Sequence, residues 1–364
     1  MAIFSVSTHE SFTLTLKWIS AWWRTEDPSN YFYFWRQIIS LWIALLAWVF
    51  TYFIPIKFFQ KDKNIIIIAI ILFLLQLAVF IPWVWLVLNW SRWWIAIMWR
   101  SIQPAEFFKL GYVIFMSSWL IRKSKTNMNE TWYLLKFIVI NFFALCVFFF
   151  IPDFGTILIL AMVWLLMCRY SWASFKKIAL IFIAWVIATF GGLMTLWSVS
   201  DKFSYIQKRF TYFISSEEID PQNKLIWRQN EQALIAIWWW GFWWRWYEKW
   251  LQKFGYIPEA QSDFIFSAFS EEVWFVGNMF LLGLYFYLCY YFVSRLNTVK
   301  DEYSRLIGIW IISLIIVQMF VNIWVNTKIM PNTWLTLPFI SYWWTAIMVN
   351  VIELVLLYKI LKAK

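Results

Sequence analysis

The sequence predicts an all-α integral membrane protein, a polytopic helical bundle with nine membrane spans. Two observations support this fold class. Of the 364 residues, 63% are hydrophobic and only 14% are charged, whereas soluble domains contain roughly 45–50% apolar residues. The apolar residues also form long uninterrupted runs, close to the ~20 residues that cross a bilayer as a helix. Because these runs lack the alternation of membrane β-strands, a helical bundle is favoured over a barrel.

Nine apolar runs are predicted to be the spans. Six are near the full crossing length, and they lie at 37–56, 64–88, 134–151, 178–197, 273–293 and 306–327. Three shorter runs lie at 105–121, 155–169 and 343–361. Together they predict that residues 1–364 form a single transmembrane domain with one large loop, at about 198–272.

The distribution of Lys and Arg predicts which loops face the cytoplasm, because cytoplasmic loops of membrane proteins collect basic residues. One alternate set of loops is basic, at 57–63, 122–125, 169–177, 295–305 and 359–364. These loops are placed inside, and segments 89–104 and 328–342 and the large loop are placed on the extracytoplasmic side. The net charge of +11 is therefore mostly a topology signal. Nucleic-acid binding needs a contiguous basic face and is not expected.

Few residue types are available for chemistry. His9 is the one histidine of the chain and lies near its N-terminus, which nearly excludes histidine acid–base chemistry and histidine-ligated metals. Cys146, Cys168 and Cys289 lie in or at the ends of predicted spans without paired spacing, so neither a disulfide nor a metal site is predicted. Any catalysis is expected to use Asp, Glu, Lys, Arg or Tyr.

Ionisable residues at membrane depth are costly and usually functional, and here they gather at the extracytoplasmic side. Glu106 and Lys109 lie three residues apart at the start of a predicted span, so they can pair on one helix face. The pair fits a structural ion pair as well as a polar cavity, and both interpretations stay open. Asp153 precedes another span, where a carboxylate satisfies free backbone N–H groups, so a structural role is favoured there.

Asp263 differs from the other carboxylates because no helix start explains it. Glu271 and Glu272 are placed near the start of the next span, where they have the same structural explanation as Asp153. Asp263 instead precedes an apolar run at the boundary between the large loop and the membrane, where an unpaired carboxylate is costly. The outer polar residues could build a cavity with carboxylates for acid–base work and arginines for a pyrophosphate.

Five motifs follow one another along the chain. They are Ile-Gln-Pro-Ala-Glu at 102–106, Pro-Asp-Phe-Gly-Thr at 152–156, Pro-Glu at 258–259 with Asp-Phe-Ile-Phe at 263–266, Glu-Glu at 271–272, and Leu-Pro-Phe-Ile-Ser-Tyr at 337–342. With these motifs, the chain from about residue 31 to the C-terminus resembles the SEDS family of membrane glycan polymerases (FtsW/RodA-like). Each motif is weak alone, but five in family order, each on the expected membrane side, are specific.

The resemblance implies a peptidoglycan glycosyltransferase that polymerises lipid II at the outer face of the bacterial cytoplasmic membrane. It implies that Asp263 is the general base, which takes the proton of the acceptor hydroxyl while undecaprenyl pyrophosphate leaves. Substrate binding is implied for Arg92, Glu106, Lys109, Asp153, Glu259 and Ser341. The family's usual histidine two residues before the aspartate is Gln261 here, so no role of that histidine carries over.

The resemblance also implies partners. These are lipid II, undecaprenyl-pyrophosphate-linked glycan and a class B penicillin-binding protein, the transpeptidase. The residue types at 335–338 and 252–253 resemble the division branch of the family slightly more than the elongation branch. No cofactor is expected with certainty, and a divalent cation such as Mg²⁺ is the one candidate. Two alternatives stay open: a lipid II flippase, which also needs access from the cytoplasm, and a non-catalytic scaffold that recruits a transpeptidase and does not need Asp263.

Tryptophan is anomalous in this chain, which has 32 Trp and only 9 Gly. At a usual share near 7%, roughly 25 glycines are expected. Many tryptophans fall where the family has glycine, as in the family's Ser-Tyr-Gly-Gly at 341–344. We predict that UGA encodes glycine in the source organism and was translated as tryptophan. The positions predicted to be glycine natively are Trp244, Trp246, Trp274, Trp324, Trp343 and Trp344, whereas Trp94 matches a true family tryptophan.

The N-terminus is a second irregularity. Family members begin with a complete first span and have ten spans in all. Here only residues 3–7 resemble the outer end of that span. We therefore expect ten spans natively and nine in the given sequence, with most of the first span missing.

Overall fold

The computed structural model describes residues 32–81, 85–88, 91–97, 100–125, 130–151, 153–171, 213, 224–238 and 262–363. These residues are mostly helical. The helices are α1 (Phe32–Phe53), α2 (Asp62–Leu77), α3 (Pro104–Lys125), α4 (Glu130–Phe150), α5 (Phe154–Ser171), α6 (Lys224–Trp238), α7 (Ile265–Leu296), α8 (Glu302–Asn326) and α9 (Trp344–Lys362).

The predicted helical membrane fold is confirmed. Eight of the nine predicted spans overlap helices of the structure, and the ninth, at 178–197, lies outside the described residues. Within the described part of the chain, five helices are long and apolar enough to cross a membrane: Phe34–Phe53, Asp62–Phe80, Phe275–Leu296, Glu302–Asn326 and Trp344–Lys362. Two shorter apolar helices, Val139–Phe150 and Phe154–Met167, accompany them.

The end of the predicted span at 64–88 is wrong, because the helix stops earlier and a sheet follows. Helix α2 ends at Leu77, and strands β1 (Trp85–Leu88), β2 (Ser91–Ile97) and β3 (Arg100–Ile102) form an antiparallel sheet in the order β1-β2-β3. Ile95 pairs with Trp85 on one side and with Ile102 on the other. The strands are rich in aromatic and β-branched residues, which favour extended backbone.

The chain forms two compact units, each built from segments that are distant in sequence. The first unit contains the described residues within 1–45, 193–288 and 318–348. The second unit contains those within 46–192, 289–317 and 349–364. Helices α1, α7, α8 and α9 therefore contribute residues to both units.

In the second unit, close packing and loop hydrogen bonds hold the helices. Helix α2 packs against α3, where a β-carbon on Gly111 would overlap the side chain of Leu72. The loop after α1 meets the start of α8 through Gln60, whose Nε2 donates to Asp301 Oδ2 at 2.8 Å. Lys359 of α9 donates to the carbonyls of Thr51 and Tyr52 in the last turn of α1 and to that of Ile54 just after it. The last carbonyls of a helix lack intrahelical donors, so a lysine satisfies them well.

In the first unit, helices α6, α7 and α8 pack with the segment between α8 and α9. One buried cluster joins Ile237, Ile265, Phe266, Tyr285, Met319 and Leu337. A second cluster joins α6 to the start of α7 through Ala233, Ala236, Phe264 and Ala268. The Tyr285 hydroxyl donates to the carbonyl of Pro338. These contacts fix the turn that precedes α7, where Asp263 lies.

Candidate active site

Asp263 lies two residues before α7 begins and is only 4% exposed. The expectation that no helix start lies near Asp263 is therefore wrong, because α7 begins earlier than the apolar run at 273–293. Its backbone carbonyl accepts two hydrogen bonds, one from Asn322 Nδ2 and one from Asn326 Nδ2, each of 3.0 Å. The two asparagines are four residues apart on α8, so they lie on the same face of that helix. This pair of amides, which we call the asparagine clamp, fixes the backbone of Asp263.

The asparagine clamp also binds the neighbouring segments. Asn322 Nδ2 donates to the carbonyl of Leu335 at 2.6 Å. Asn326 Oδ1 accepts hydrogen bonds from the backbone N–H of Ser267 at 3.2 Å and from its hydroxyl at 2.6 Å. Helix α8 therefore connects the first turn of α7 to the segment before α9. Buried polar groups of this kind are expensive to leave unpaired, so the connection is specific.

Ser341, a predicted substrate-binding residue, lies beside the same turn. Its hydroxyl donates to the carbonyl of Ser262 at 2.8 Å and accepts a hydrogen bond from the backbone N–H of Leu337 at 2.7 Å. The structure thus brings Ser341 and Asp263 together in the first unit. The Ser341 hydroxyl holds the residue before Asp263 in place.

Glu106 and Lys109 form the predicted ion pair at the start of α3, with Nζ 2.9 Å from Oε2. The two residues are 3% and 1% exposed. Asp153 is 4% exposed and lies close enough to interact electrostatically with both. The structure therefore brings three of the predicted substrate-binding residues together inside the second unit. We call this set the buried charge cluster.

Asp153 caps helix α5, as the structural interpretation predicts. Its Oδ1 accepts a hydrogen bond from the backbone N–H of Thr156 at 3.0 Å, and its Oδ2 accepts one from the Thr156 hydroxyl at 2.8 Å. Burial raises the pKa of the Asp153 carboxyl, and the hydrogen bonds from Thr156 act in the opposite direction. Nearby, the indole N–H of Trp93 donates to the carbonyl of Ile151 at 2.9 Å and ties β2 to the segment before α5.

The remaining predicted positions have different outcomes. Arg92 lies in strand β2, and Glu259 and Gln261 lie outside the described residues. The placement of Glu271 and Glu272 near a helix start is wrong, because α7 already begins at Ile265 and the two glutamates lie about two turns into it.

Three polar residues that the structure places at these sites were not predicted from the sequence. Two are the clamp residues Asn322 and Asn326, whose signal was a buried i, i+4 amide pair in an apolar run. The third is Glu353 of α9, which is 2% exposed and within electrostatic reach of Lys109 and Glu106. Its signal was a single carboxylate in a predicted span. Throughout the described ranges, no group of three or more His, Cys, Asp or Glu side chains is arranged to hold a metal ion.

Several similar proteins align with most of the length of this chain. Stage V sporulation protein E of Bacillus subtilis is 29% identical over 324 residues, which cover 89% of this chain and 85% of the relative. The probable peptidoglycan glycosyltransferase FtsW of Buchnera aphidicola is 30% identical over 344 residues, which cover 92% and 91%. The protein of the same name from Taylorella equigenitalis is 29% identical over 340 residues, which cover 92% of this chain and 89% of the relative.

Solved structures share the fold. A peptidoglycan synthase complex that coordinates polymerization and crosslinking contains a chain that superposes with a TM-score of 0.73 at 19% identity, covering 99% of this chain and 96% of the other. RodA of Thermus thermophilus superposes with a TM-score of 0.63 at 17% identity, covering 99% and 94%. The family of cell cycle proteins that comprises FtsW, RodA and SpoVE matches residues 10–364. The chain therefore belongs to the FtsW/RodA/SpoVE family.

Proposed function

We propose that this protein is a peptidoglycan glycosyltransferase that polymerises lipid II, with Asp263 as its general base. The observation that carries the assignment is the fixed position of Asp263. Its carboxylate stands on a turn whose backbone is held by Asn322, Asn326 and, through Ser262, by Ser341. A general base needs a fixed position, because proton transfer requires hydrogen-bond distance to the reacting hydroxyl.

The proposed reaction is a displacement at the anomeric carbon of the donor sugar. Asp263 accepts the proton of the acceptor hydroxyl, and the oxygen of that hydroxyl forms the new glycosidic bond. The bond between the anomeric carbon and the pyrophosphate oxygen breaks, and undecaprenyl pyrophosphate leaves with the electron pair. Two lipid-linked substrates thus give one longer glycan and one lipid pyrophosphate. No electrons are gained or lost overall.

Lys109 and Arg92 are proposed to bind the pyrophosphate of the substrate. The ammonium of Lys109 is buried and paired with Glu106, and an ammonium or guanidinium group forms strong hydrogen bonds with phosphate oxygens. Arg92 lies next to Trp93, whose indole anchors β2 to Ile151. Asp153 is proposed to support this group by fixing the start of α5.

Polymerisation of lipid II by the purified protein is the direct test of this function. We expect glycan strands to form in detergent or proteoliposomes without added protein. A flippase would instead move labelled lipid II across a liposome membrane and produce no glycan. A scaffold would do neither and would act only with a transpeptidase. Either of those results would overturn the proposed activity.

The asparagine clamp gives a separate prediction about the rate. Asn326→Ala removes one amide from the Asp263 carbonyl and both contacts with Ser267. We expect kcat to fall by about 10- to 100-fold, because small displacements of a catalytic group are costly, with KM nearly unchanged. Gln318→Ala is the matched control, since Gln318 is a buried amide of the same helix that binds Thr336 instead. Equal losses of kcat in the two variants would contradict a role of the clamp in positioning Asp263.

The proposed orientation places the segment after α8 outside the cell and the loop between α7 and α8 inside. Cysteine labelling tests it in a variant without native cysteines. Ile329→Cys, at a side chain that is 60% exposed, is expected to react with an impermeant maleimide in intact cells. Lys300→Cys, in the loop before α8, is expected to react only after permeabilisation. The opposite pattern would reverse the topology.

A class B penicillin-binding protein is the proposed partner. The similar chain from a complex that coordinates polymerization and crosslinking supports this proposal. Contact is expected on an apolar surface within the membrane, where helices associate by close packing. Purification in mild detergent from the native organism is expected to retain the transpeptidase. Consistent purification without any transpeptidase would count against the partner.

A further inference from the structure

Helix α6, which lies within the large loop, packs against the chain directly after Asp263. Its residues Ala233 and Ala236 share one buried cluster with Phe264 and Ala268 at the start of α7. Phe264 is the residue that follows Asp263, and all of these residues belong to the first unit. The buried face of α6 therefore adjoins the turn that carries the proposed general base.

A second contact ties α6 to the end of α8. Glu231 of α6 and Lys328, two residues after α8, form an ion pair with Nζ 2.5 Å from Oε1. Asn326, the last residue of α8, holds the backbone carbonyl of Asp263 through the asparagine clamp. The ion pair and the alanine contact therefore anchor α6 at two points close to the same turn.

The backbone of Lys328 is unusual for a lysine. Its φ is 54°, in the left-handed region that glycine usually occupies just after a helix. The backbone N–H of Lys328 donates to the carbonyl of Val325 at 3.1 Å, and that of Ile329 donates to the carbonyl of Trp324 at 2.8 Å. These are the two hydrogen bonds of a Schellman motif, and glycine would form both. The helix end therefore does not require a lysine, and a strained residue of this kind points to a role for its side chain.

Asn230 is a buried amide that no described contact explains. It is 8% exposed, and among the described residues its Oδ1 has no hydrogen-bond partner. Asn230 lies three residues before Ala233, so the two share one face of α6. The amide is therefore one turn from the contact with Phe264. A buried oxygen without a partner destabilises a protein and needs a reason, and a ligand that supplies the missing donor is such a reason.

The charges at this place favour an uncharged ligand over a phosphate. The ammonium of Lys328 is paired with Glu231, so the pair adds no net charge, and the side chain of Asn230 is neutral. A phosphate is instead bound by cations that face it. The hydroxyl and acetamido groups of a sugar match an amide, which both donates and accepts hydrogen bonds. A general base must lie within hydrogen-bond reach of the acceptor hydroxyl, so a sugar bound beside Asp263 is the acceptor.

We propose that α6 provides a binding site for the acceptor sugar, in which Asn230 Oδ1 accepts a hydrogen bond from a sugar hydroxyl or acetamido N–H. Glu231 and Lys328 are the positioning pair that holds α6 against the turn of Asp263. The amide is thus in place before the sugar arrives, so less freedom is lost on binding. The proposal rests on the proposed function, since it takes Asp263 as the base that receives the acceptor proton.

Asn230→Leu separates sugar binding from folding. The change removes an unpaired buried oxygen and keeps a branched side chain, so the Tm is expected to stay the same or rise. The KM for lipid II is expected to rise about fivefold or more, the value of one lost hydrogen bond, with kcat within about threefold of normal. The Ki of undecaprenyl pyrophosphate, which carries no sugar, is expected to change by less than about twofold.

Two further variants complete this test. Gln232→Leu is the matched control, because Gln232 lies on the same helix and is only partly buried, and its KM is expected to stay normal. Asn230→Ala replaces Asn230→Leu if the larger side chain prevents folding.

The ion pair is tested by Lys328→Gly and by an exchange of charges. Glycine suits the left-handed backbone, so Lys328→Gly is expected to keep or raise the Tm while it raises the KM about threefold or more, because α6 is less well positioned. Glu231→Lys alone is expected to raise the KM in the same way. Glu231→Lys combined with Lys328→Glu restores the pair with reversed signs and is expected to return the KM to within about twofold of normal.

The outcomes that overturn the proposal are distinct. An unchanged KM in Asn230→Leu and Asn230→Ala would exclude sugar binding by Asn230. An equal rise of the KM in Gln232→Leu would attribute the effect to the packing of α6. A parallel rise in the Ki of undecaprenyl pyrophosphate would assign the amide to the pyrophosphate instead. If the exchange of charges does not restore the KM, the pair has no positioning role.

Failure of this proposal is distinguishable from failure of the proposed function. If the unchanged protein polymerises lipid II and the Asn230 variants match it, only the sugar site is refuted. If the unchanged protein forms no glycan, the proposed function is refuted, and the acceptor site with it.

Discussion

Replacing Asp263 with Asn is expected to lower the rate of lipid II polymerisation by about 10²- to 10⁴-fold, the contribution of a general base. Asn has nearly the same shape as Asp, and the asparagine clamp binds the backbone carbonyl of residue 263, which the substitution leaves in place. The Tm and the affinity for lipid II are therefore expected to stay close to those of the unchanged protein. The rate is measured with purified protein, from the amount of glycan formed per unit time.

Asp301→Asn is the matched control for this experiment. Asp301 is an exposed aspartate before α8 whose Oδ2 accepts hydrogen bonds from the backbone N–H of Ser304 at 3.1 Å and from its hydroxyl at 2.5 Å. Asn is about as good as Asp at the start of a helix, so this variant is expected to polymerise lipid II at the normal rate. Turnover by Asp263→Asn near the normal rate would refute the assignment of the general base.

The second large effect concerns a tryptophan whose backbone conformation favours glycine. Trp334 adopts a φ of 56°, a left-handed conformation that is an outlier for a bulky residue and costs on the order of 1–3 kcal/mol. Lys328 and Phe339 also have positive φ, but the ring of Phe339 packs against the core cluster around Leu337. Trp334 is not among the positions that the sequence analysis predicts to be glycine natively. Its positive φ adds Trp334 to that set.

Trp334→Gly is expected to raise the Tm of the protein as given. At Trp324, Trp343 and Trp344, which are only partly buried and do not have a positive φ, glycine is expected to change the Tm less. The strained backbone of Trp334 costs on the order of 1–3 kcal/mol, which is a large fraction of a total stability of about 5–15 kcal/mol. Thermal unfolding in one detergent, and the yield of folded protein in the membrane, measure the effect.

Trp94→Gly is the control with the opposite expected sign. Trp94 is 3% exposed, and removing a buried aromatic side chain costs about 3–5 kcal/mol. This variant is therefore expected to lose stability or fail to fold. The native protein gives the direct answer, because peptide mass spectrometry of residues 341–344 distinguishes Ser-Tyr-Gly-Gly from Ser-Tyr-Trp-Trp. UGG codons or two tryptophans at that place would refute the recoding.

Most of the helices were predictable from sequence, because long apolar runs without strand alternation are stable in a bilayer as helices. Helix α6 was not predicted, since it lies within the stretch taken as the large loop. Within the described residues, the predicted and observed ends of α8 and α9 differ by no more than four residues. The sheet was not predictable in the same way. Strands of three to seven residues in a run of Trp, Ile, Val and Leu have no periodicity that distinguishes them from a buried helix, so β1 was taken as the end of a span.

The candidate site was predictable where a motif or a pairing rule applied. The i, i+3 spacing predicted the ion pair of Glu106 and Lys109, and the structure confirms it. The contacts of Asn322 and Asn326 with Asp263 join residues far apart in the chain. Local sequence carries no information about such pairs, because they depend on which helices become neighbours.

The contact between Lys359 and the end of α1 has a consequence for the order of assembly during synthesis. Lys359 Nζ and the Ile54 carbonyl are 305 residues apart in the chain, and a ribosome adds roughly 5–20 residues per second. Lys359 is therefore synthesised on the order of 15 seconds to a minute after the carbonyls at the end of α1. During that interval another group, such as water or a lipid headgroup, has to solvate them. These hydrogen bonds of the second unit can therefore form only after α9 has been inserted into the membrane.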